Sequence, residues 1–239
     1  MNRKETILEG TRMAEISDFF AEWPEKYDEW FETPIGRLVR EYEGRVLREM
    51  VCPGPDEEIL DVGCGTGVFT SDLLDAGSRV TGLEICLPML LRAGKKAAGR
   101  PLLMVRGDMR RLPFAENSFD KTVSVTAIEF LAEDARGAVA DMFRVTRPGG
   151  LIVVASLNSL SPWATRRKAA KDHPIFTHTR FRSPAEMKEL APFPASIKTA
   201  VHFQKHEDPE RAKQIEGDGN ARGLDTGAFL AVRWKKPAA

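Results

Sequence analysis

Residues 58–67 read Glu58-Ile59-Leu60-Asp61-Val62-Gly63-Cys64-Gly65-Thr66-Gly67. A short apolar run ending in an acid passes into a turn in which every second residue is glycine. Glycine takes φ > 0 without strain and admits a ligand where a side chain would block it. A helix beginning beyond such a turn offers main-chain N–H groups that have no partner within the helix. In a dinucleotide enzyme those groups face a pyrophosphate. The dinucleotide fingerprint G-x-G-x-x-G needs a glycine at position 68, where this chain has Val68. The spacing here is G-x-G-x-G, which disfavours an NAD oxidoreductase. Two further acids stand after apolar runs. Glu84 closes Val80-Thr81-Gly82-Leu83, 23 residues after Asp61, where a carboxylate can accept from two ribose hydroxyls. Asp108 follows Gly107 and precedes Met109.

These residues need a scaffold of alternating elements. Strands are expected at Glu58–Val62, Arg79–Glu84, Leu102–Arg106, within Ser118–Thr126, and at Leu151–Ser156. Helices are expected after the glycine turn to about Ala76, at Leu87–Gly99 and at Asp134–Thr146. Such alternation implies βαβ units and a parallel sheet with right-handed crossovers. Ligands in such sheets sit beyond the carboxyl ends of the strands. Upstream, Ile16, Phe19, Phe20 and Trp23 recur at helical spacing. A second helix is expected over Pro34–Met50, with Leu38, Val39, Tyr42, Val46 and Leu47 inward and Pro34 in its first turn. Cys52-Pro53-Gly54-Pro55 breaks the chain between this cap and the sheet. Downstream, Ser183 and Glu186 form a capping-box pattern. Strands are expected over Ala195–His206 and Gly227–Lys235. The polar, Gly-rich stretch 207–226 reads as an exposed loop.

Composition bounds the rest. The 239 residues suffice for a sizeable core, and Lys+Arg and Asp+Glu balance at 35 each. No net basic field points to nucleic acid. No run reaches the roughly 18 apolar residues of a membrane span, and the N-terminus lacks a secretory apolar region. Three cysteines (Cys52, Cys64, Cys86) at unpatterned spacing fit a reducing cytoplasm.

The order of these stretches, with Leu112-Pro113-Phe114, Asn117-Ser118-Phe119-Asp120 and Arg147-Pro148-Gly149-Gly150, resembles class I S-adenosylmethionine (SAM)-dependent methyltransferases. The resemblance covers about Glu57–Ser156 and is to the type 11 branch, near the ubiquinone/menaquinone methyltransferases. It implies an α/β fold: a Rossmann-like, doubly wound, seven-stranded sheet, mostly parallel with an antiparallel last strand, plus N-terminal helices. It assigns Asp61, Gly63, Gly65 and Gly67 to the methionine end of SAM, places Cys64 within the same donor site, and gives Glu84 to its ribose. Asp108 and Met109 go to adenine, with Ile85 and Met89 on its faces. Thr126 and Ala127 line the donor near the sulfonium. Residues 1–52 become a helical lid or cap, residues 53–239 the SAM-binding domain, and about 157–182 an acceptor-side insertion. In Glu25-Lys26-Tyr27-Asp28-Glu29-Trp30-Phe31, Tyr27 and Trp30 either close over the donor or dock the N-terminal helices.

The expected reaction is methyl transfer from SAM, giving S-adenosylhomocysteine (SAH), to a small-molecule acceptor in a monomer or homodimer. No metal is expected; a metalloid site on Cys64 and Cys86 is disfavoured because both would lie inside the donor site. Nucleic-acid substrates are disfavoured, since Val125-Thr126-Ala127-Ile128-Glu129-Phe130 stands where amino-methylating enzymes carry an Asn/Asp-Pro-Pro-aromatic motif. A non-catalytic SAM- or nucleoside-binding protein, or a methyltransferase for a macromolecule, is the alternative. None of His173, His178, His202 and His206 belongs to a motif that makes it a general base. Glu129 is able to face the substrate. Arg166, Arg167, Lys168, Lys171, Arg180 and Arg182 form either a solvated basic face or a seat for an anionic acceptor.

Overall fold

The structure, a computed structural model, describes residues 15–169 and 179–238. A helical segment at 15–21 precedes α1 (Pro24–Glu32) and α2 (Pro34–Val51). Then follow β1 (Glu58–Val62), α3 (Thr70–Asp75), β2 (Arg79–Glu84), α4 (Leu87–Lys96) and β3 (Leu102–Arg106). Next come β4 (Phe119–Val125), a 3-10 turn (Ile128–Phe130), α5 (Ala135–Val145), β5 (Thr146–Leu157) and α6 (Pro162–Ala169). The chain closes with α7 (Pro184–Lys188), β6 (Ala195–Ala200), α8 (Pro209–Ala221) and β7 (Phe229–Lys235).

The seven strands form one sheet in the order β3-β2-β1-β4-β5-β7-β6. Strands β1 to β5 are parallel, and β7 runs antiparallel between β5 and β6. This is the doubly wound sheet with an antiparallel last strand. Successive residues of a strand face opposite sides, so both faces must be covered. Leu60, Ile152 and Val154 enter one core with Val139 and Met142 of α5. Ile59, Val153 and Ala155 enter the other with Val39, Leu47 and Met50 of α2. Apolar residues on both faces of β1 and β5 are the mark of a sheet buried on both sides.

Local signals start the helices. Pro34 opens α2 and the Thr33 hydroxyl accepts from Gly36 N at 3.1 Å. Ser183 and Glu186 complete a capping box on α7. Strand β6 stops at Ala200, short of the expected His206, because Val201 takes φ 65° and leaves the extended region. The largest correction lies at 207–226, where helix α8 replaces the expected loop. Asp208 accepts from the N–H groups of Glu210 and Arg211, and Pro209 fixes the first turn. Tertiary packing, not propensity, holds this Gly-containing helix. A Cβ on Gly219 would stand 2.5 Å from His202 Cγ, so glycine is what lets the helix meet the ring.

That ring pins α8. His202 Nδ1 lies 3.0 Å from Glu216 Oε2, and Nε2 lies 3.2 Å from the Leu224 carbonyl. Two acceptors on one imidazole favour the doubly protonated ring. Burial opposes the charge, but the Glu216 carboxylate and the Leu224 carbonyl outweigh it and raise the pKa of His202. Burial likewise opposes charge on Glu216, and its bonds to His202 outweigh it and lower its pKa. The pair therefore stabilises fully between the ordinary values of 4.5 for Glu and 6.5 for His. Its contribution fades as pH rises through the raised His202 value or falls through the lowered Glu216 value. Glu216→Ala is expected to cost roughly 3–5 kcal/mol near pH 6 and visibly less at pH 9. Urea titrations of both proteins across pH check this, and a pH-independent difference contradicts the pairing.

Candidate active site

The carboxyl edges of β1, β2 and β4 and the helices α1 and α2 enclose a cavity of about 430 Å³. It opens where the strand order turns from β1 toward β2 on one side and β4 on the other, the place where doubly wound sheets bind ligands.

One half is built on the glycine turn. The N–H groups of Gly63 and Cys64 donate to the Leu83 carbonyl at 2.7 and 3.1 Å, fixing the turn to β2. Gly63 has φ 76°, and a Cβ there would stand 2.6 Å from Ala127 Cβ. Gly65 has φ 54° and a Cβ would meet nothing within 4 Å, so its backbone borders open cavity space. The Glu84 carboxylate accepts from Gly65 N at 3.0 Å and from Cys86 N at 2.9 Å, one bond per oxygen. Each oxygen keeps a lone pair for a ligand. Burial raises the Glu84 pKa against the pull of these N–H groups. Asp61 accepts from the Thr70 hydroxyl at 2.6 Å; burial, with Glu84 nearby, pushes its pKa up to about 6.

Of the fourteen residues the resemblance marks for SAM and its lid, twelve line this cavity: Tyr27, Trp30, Asp61, Gly63, Cys64, Gly65, Glu84, Ile85, Met89, Met109, Thr126 and Ala127. Gly67 and Asp108 do not. Gly67 has φ 76° and lets α4 approach, its Cβ position lying 3.0 Å from Ala93 Cβ. The Asp108 carboxylate is held by Arg110 Nε and Nη2 at 2.9 and 2.7 Å. Cys64 and Cys86 carry protonated thiols, their pKa values raised chiefly by burial. Among the described residues no three His, Cys, Asp or Glu side chains gather as a metal would require.

The other half is aromatic and acidic, and much of it escaped the sequence reading. Phe31 of α1, Phe69 and Trp163 line it beside Tyr27 and Trp30. Trp30 meets Trp163 and Phe31 edge-on at centroid distances of 6.2 and 4.9 Å. Glu43 of α2 also lines the wall, only 6% exposed. Its position among Val39, Val46 and Leu47 was the available signal: a carboxylate on the apolar face of a helix. Glu129, noted in the sequence, lies in the same wall and is 2% exposed. The Ser156 hydroxyl donates to it at 3.3 Å. The Tyr27 phenol pairs with the Thr126 hydroxyl; burial first, then Glu43, raises its pKa.

Two further contacts position this half. Asp28, next to Tyr27, accepts from Thr66 at 2.7 Å, Arg92 at 2.8 Å and Lys96 at 2.5 Å. Helix α1 thus docks on the glycine turn through one face while Tyr27 and Trp30 face the cavity. Arg182, 3% exposed, donates to the carbonyls of Ile128, Leu131 and Ala132, clamping the turn that carries Glu129. It is neither solvated nor a seat for an anion. Arg180 pairs with Glu133 and Glu186. The side chains of Arg166, Arg167 and Lys168, and Lys171, His173 and His178 altogether, lie outside the described residues.

Residues 60–154 match a family model described as a methyltransferase domain. The matched segment, which runs from β1 into β5, is similar to methyltransferase domains. Two curated relatives of the domain are similar over part of the chain. A demethylmenaquinone methyltransferase of Renibacterium salmoninarum is 34% identical over 62% of this chain and 60% of its own length. A malonyl-[acyl-carrier protein] O-methyltransferase of Serratia marcescens is 35% identical over 48% of this chain and 44% of its own. The chain therefore spans about half the length of these relatives. The solved structure of a SAM-dependent methyltransferase from Thermotoga maritima shares the fold, with TM-score 0.70 and 22% identity. That match covers 91% of this chain and 97% of the other. No helix among the described residues is long and apolar enough to cross a membrane.

The Asp28 cluster makes a prediction about the cap. Asp28→Ala is expected to speed amide exchange over residues 24–32 by roughly tenfold or more while β1, β4 and β5 stay protected. Hydrogen-exchange mass spectrometry reads it; unchanged exchange in α1 contradicts the docking role.

Proposed function

We propose that this chain transfers the methyl group of SAM to a small-molecule acceptor. The observation that carries the reading is one cavity with two unlike halves, a glycine-and-carboxylate half and an aromatic, acidic half, meeting at Thr126 and Tyr27. SAM, when bound, supplies a methyl group already activated on a sulfonium. The first half fits that group: Gly65 borders empty space without a Cβ, and Glu84 keeps acceptor capacity at both oxygens.

In this reading Gly63, Cys64 and Gly65 receive the methionine end, with Asp61 as its polar partner. Glu84 accepts from the ribose hydroxyls. Ile85 and Met89 flank adenine and the Met109 main chain borders it; Asp108 joins only by leaving Arg110. Gly67 shapes the turn through its approach to α4. Thr126 and Ala127 line the reacting end. The protein's task is alignment and exclusion of water, and Tyr27 and Trp30 cover the site from α1. In this reading residues 1–52 are the lid or cap, 53–239 the SAM-binding domain and about 157–182 its acceptor-side insertion, of which Leu157 and Trp163 line the cavity, in a cytoplasmic protein. The relatives are named for two unlike acceptors, demethylmenaquinone and malonyl-[acyl-carrier protein], so the acceptor is argued from this chain's own cavity.

Calorimetric titration with SAM, SAH and NAD tests the donor. SAM and SAH are expected to bind and NAD not to. Glu84→Gln should weaken SAH about 10- to 100-fold, as expected for a lost charge-assisted hydrogen bond. Binding of NAD, or unchanged SAH affinity in the variant, contradicts the assignment.

A further inference from the structure

We infer that the acceptor half of the cavity recognises a cationic amine, held between the carboxylates of Glu43 and Glu129 with its organic part against the aromatic wall. This rests on the reading of the cavity as a methyl-transfer site and names the acceptor class.

The argument starts from the cost of burying a carboxylate. An acid taken out of water needs a counter-charge, hydrogen bonds or a proton. Glu43 is 6% exposed and faces the cavity, yet no side chain or main-chain group among the described residues hydrogen-bonds its carboxylate. Arg40, the cation whose charge acts on it, is spent elsewhere. Its guanidinium donates to Asp72 at 2.7 Å and to the Val68 carbonyl at 3.0 Å, and it stacks 4.7 Å over Phe69. A second buried acid, Glu129, acts on Glu43 from the turn after β4 and so adds repulsion. Two acids brought together from separate elements, one with no hydrogen bond, form a receptor for positive charge.

The surrounding walls agree. Tyr27, Trp30, Phe31, Phe69 and Trp163 line the same space. Aromatic faces attract a desolvated cation, and Trp does so best. The cations that line the cavity, Lys26 and Lys205, are exposed, and Lys205 lies 5.5 Å over Trp30. The cations that line the cavity thus stand at its exposed rim and the acids deeper, while Arg182, buried behind the Glu129 turn and acting on that carboxylate, donates to three carbonyls; this orients an amine with its nitrogen inward.

A proton accounts for the empty state. Burial first, then Glu129 against the pull of Arg40, pushes the Glu43 pKa up to about 8. The groups acting on it are thus Arg40 on its own helix, Glu129 beyond β4, and Tyr27 on α1. At pH 7 Glu43 is mostly protonated, and an arriving ammonium favours its ionised form and releases that proton. Nitrogen must then bare its lone pair before it takes a methyl group. The carboxylate that holds the cation takes its proton: an N–H bond breaks and an O–H bond forms on Glu43.

The test uses three probes of similar shape and different charge: 2-phenylethylamine, 2-phenylethanol and phenylacetate. Each is titrated calorimetrically into SAH-saturated protein at pH 7 in buffers of different ionisation enthalpy. The amine is expected to bind at least about tenfold tighter than the alcohol, with the carboxylate weakest. Binding should release close to one proton per amine. Glu43→Gln should abolish both the preference and the proton release while leaving SAM and SAH affinity unchanged, and Glu129→Gln should weaken the preference. Equal binding of the three probes, preference for the carboxylate, or no binding of any overturns the proposal. So does loss of SAM affinity in Glu43→Gln with the amine preference intact, which would give Glu43 to the donor. Failure of SAH to bind the wild-type protein is a separate result and removes the underlying reading.

Discussion

The Glu84 carboxylate, buried at the carboxyl end of β2 and bonded to Gly65 N and Cys86 N, ties together the two turns on which the site depends. It holds the glycine turn after β1 against the turn after β2, in strands already in parallel register from Glu58–Arg79 to Val62–Leu83. A carboxylate that accepts two main-chain N–H groups resists protonation, while burial pushes the other way, and here burial prevails. That balance leaves a group that gains from further donors. β1 and most of β2, which carry these turns, are buried, whereas the edge strand β3 beside Glu84 is largely exposed.

The helical cap uses the same physics in the opposite direction. Asp28 is satisfied by Thr66, Arg92 and Lys96 and serves attachment. Glu43, one helix later, is buried without a hydrogen bond and serves recognition. Asp28's pKa is lowered because those bonds outweigh burial, and Glu43's is raised because burial wins. Similar carboxylates on neighbouring helices thus take different roles from their surroundings alone. Arg182 adds a third device, a buried guanidinium spent on three carbonyls so that the turn bearing Glu129 keeps its shape.

Most of the fold and the glycine-and-carboxylate half of the cavity were legible because they rest on local pattern. The β1 turn announces itself by glycine spacing, and β1 to β5 by apolar runs between breakers. The aromatic, acidic half was less legible because it is assembled from distant segments: α1, α2, the turn after β4, and Trp163. No local spacing joins Glu43 to Glu129. Helix α8 was misread for a related reason. Its polar, glycine-bearing sequence says loop; the Asp208 cap and Pro209 start the helix, and the buried His202–Glu216 pair and the close approach at Gly219 hold it. Asp108 illustrates the reverse, a residue marked by its place in a motif whose carboxylate is engaged by Arg110 two residues on.

The most direct test is a crystal structure of the protein with SAH. The account predicts ribose hydroxyls on the Glu84 carboxylate and the homocysteine portion along Gly63–Gly65, with its sulfur toward Thr126 and Tyr27. A complex in which SAH lies elsewhere, or in which Glu84 keeps only its bonds to Gly65 and Cys86 while SAH occupies the cavity, would contradict it.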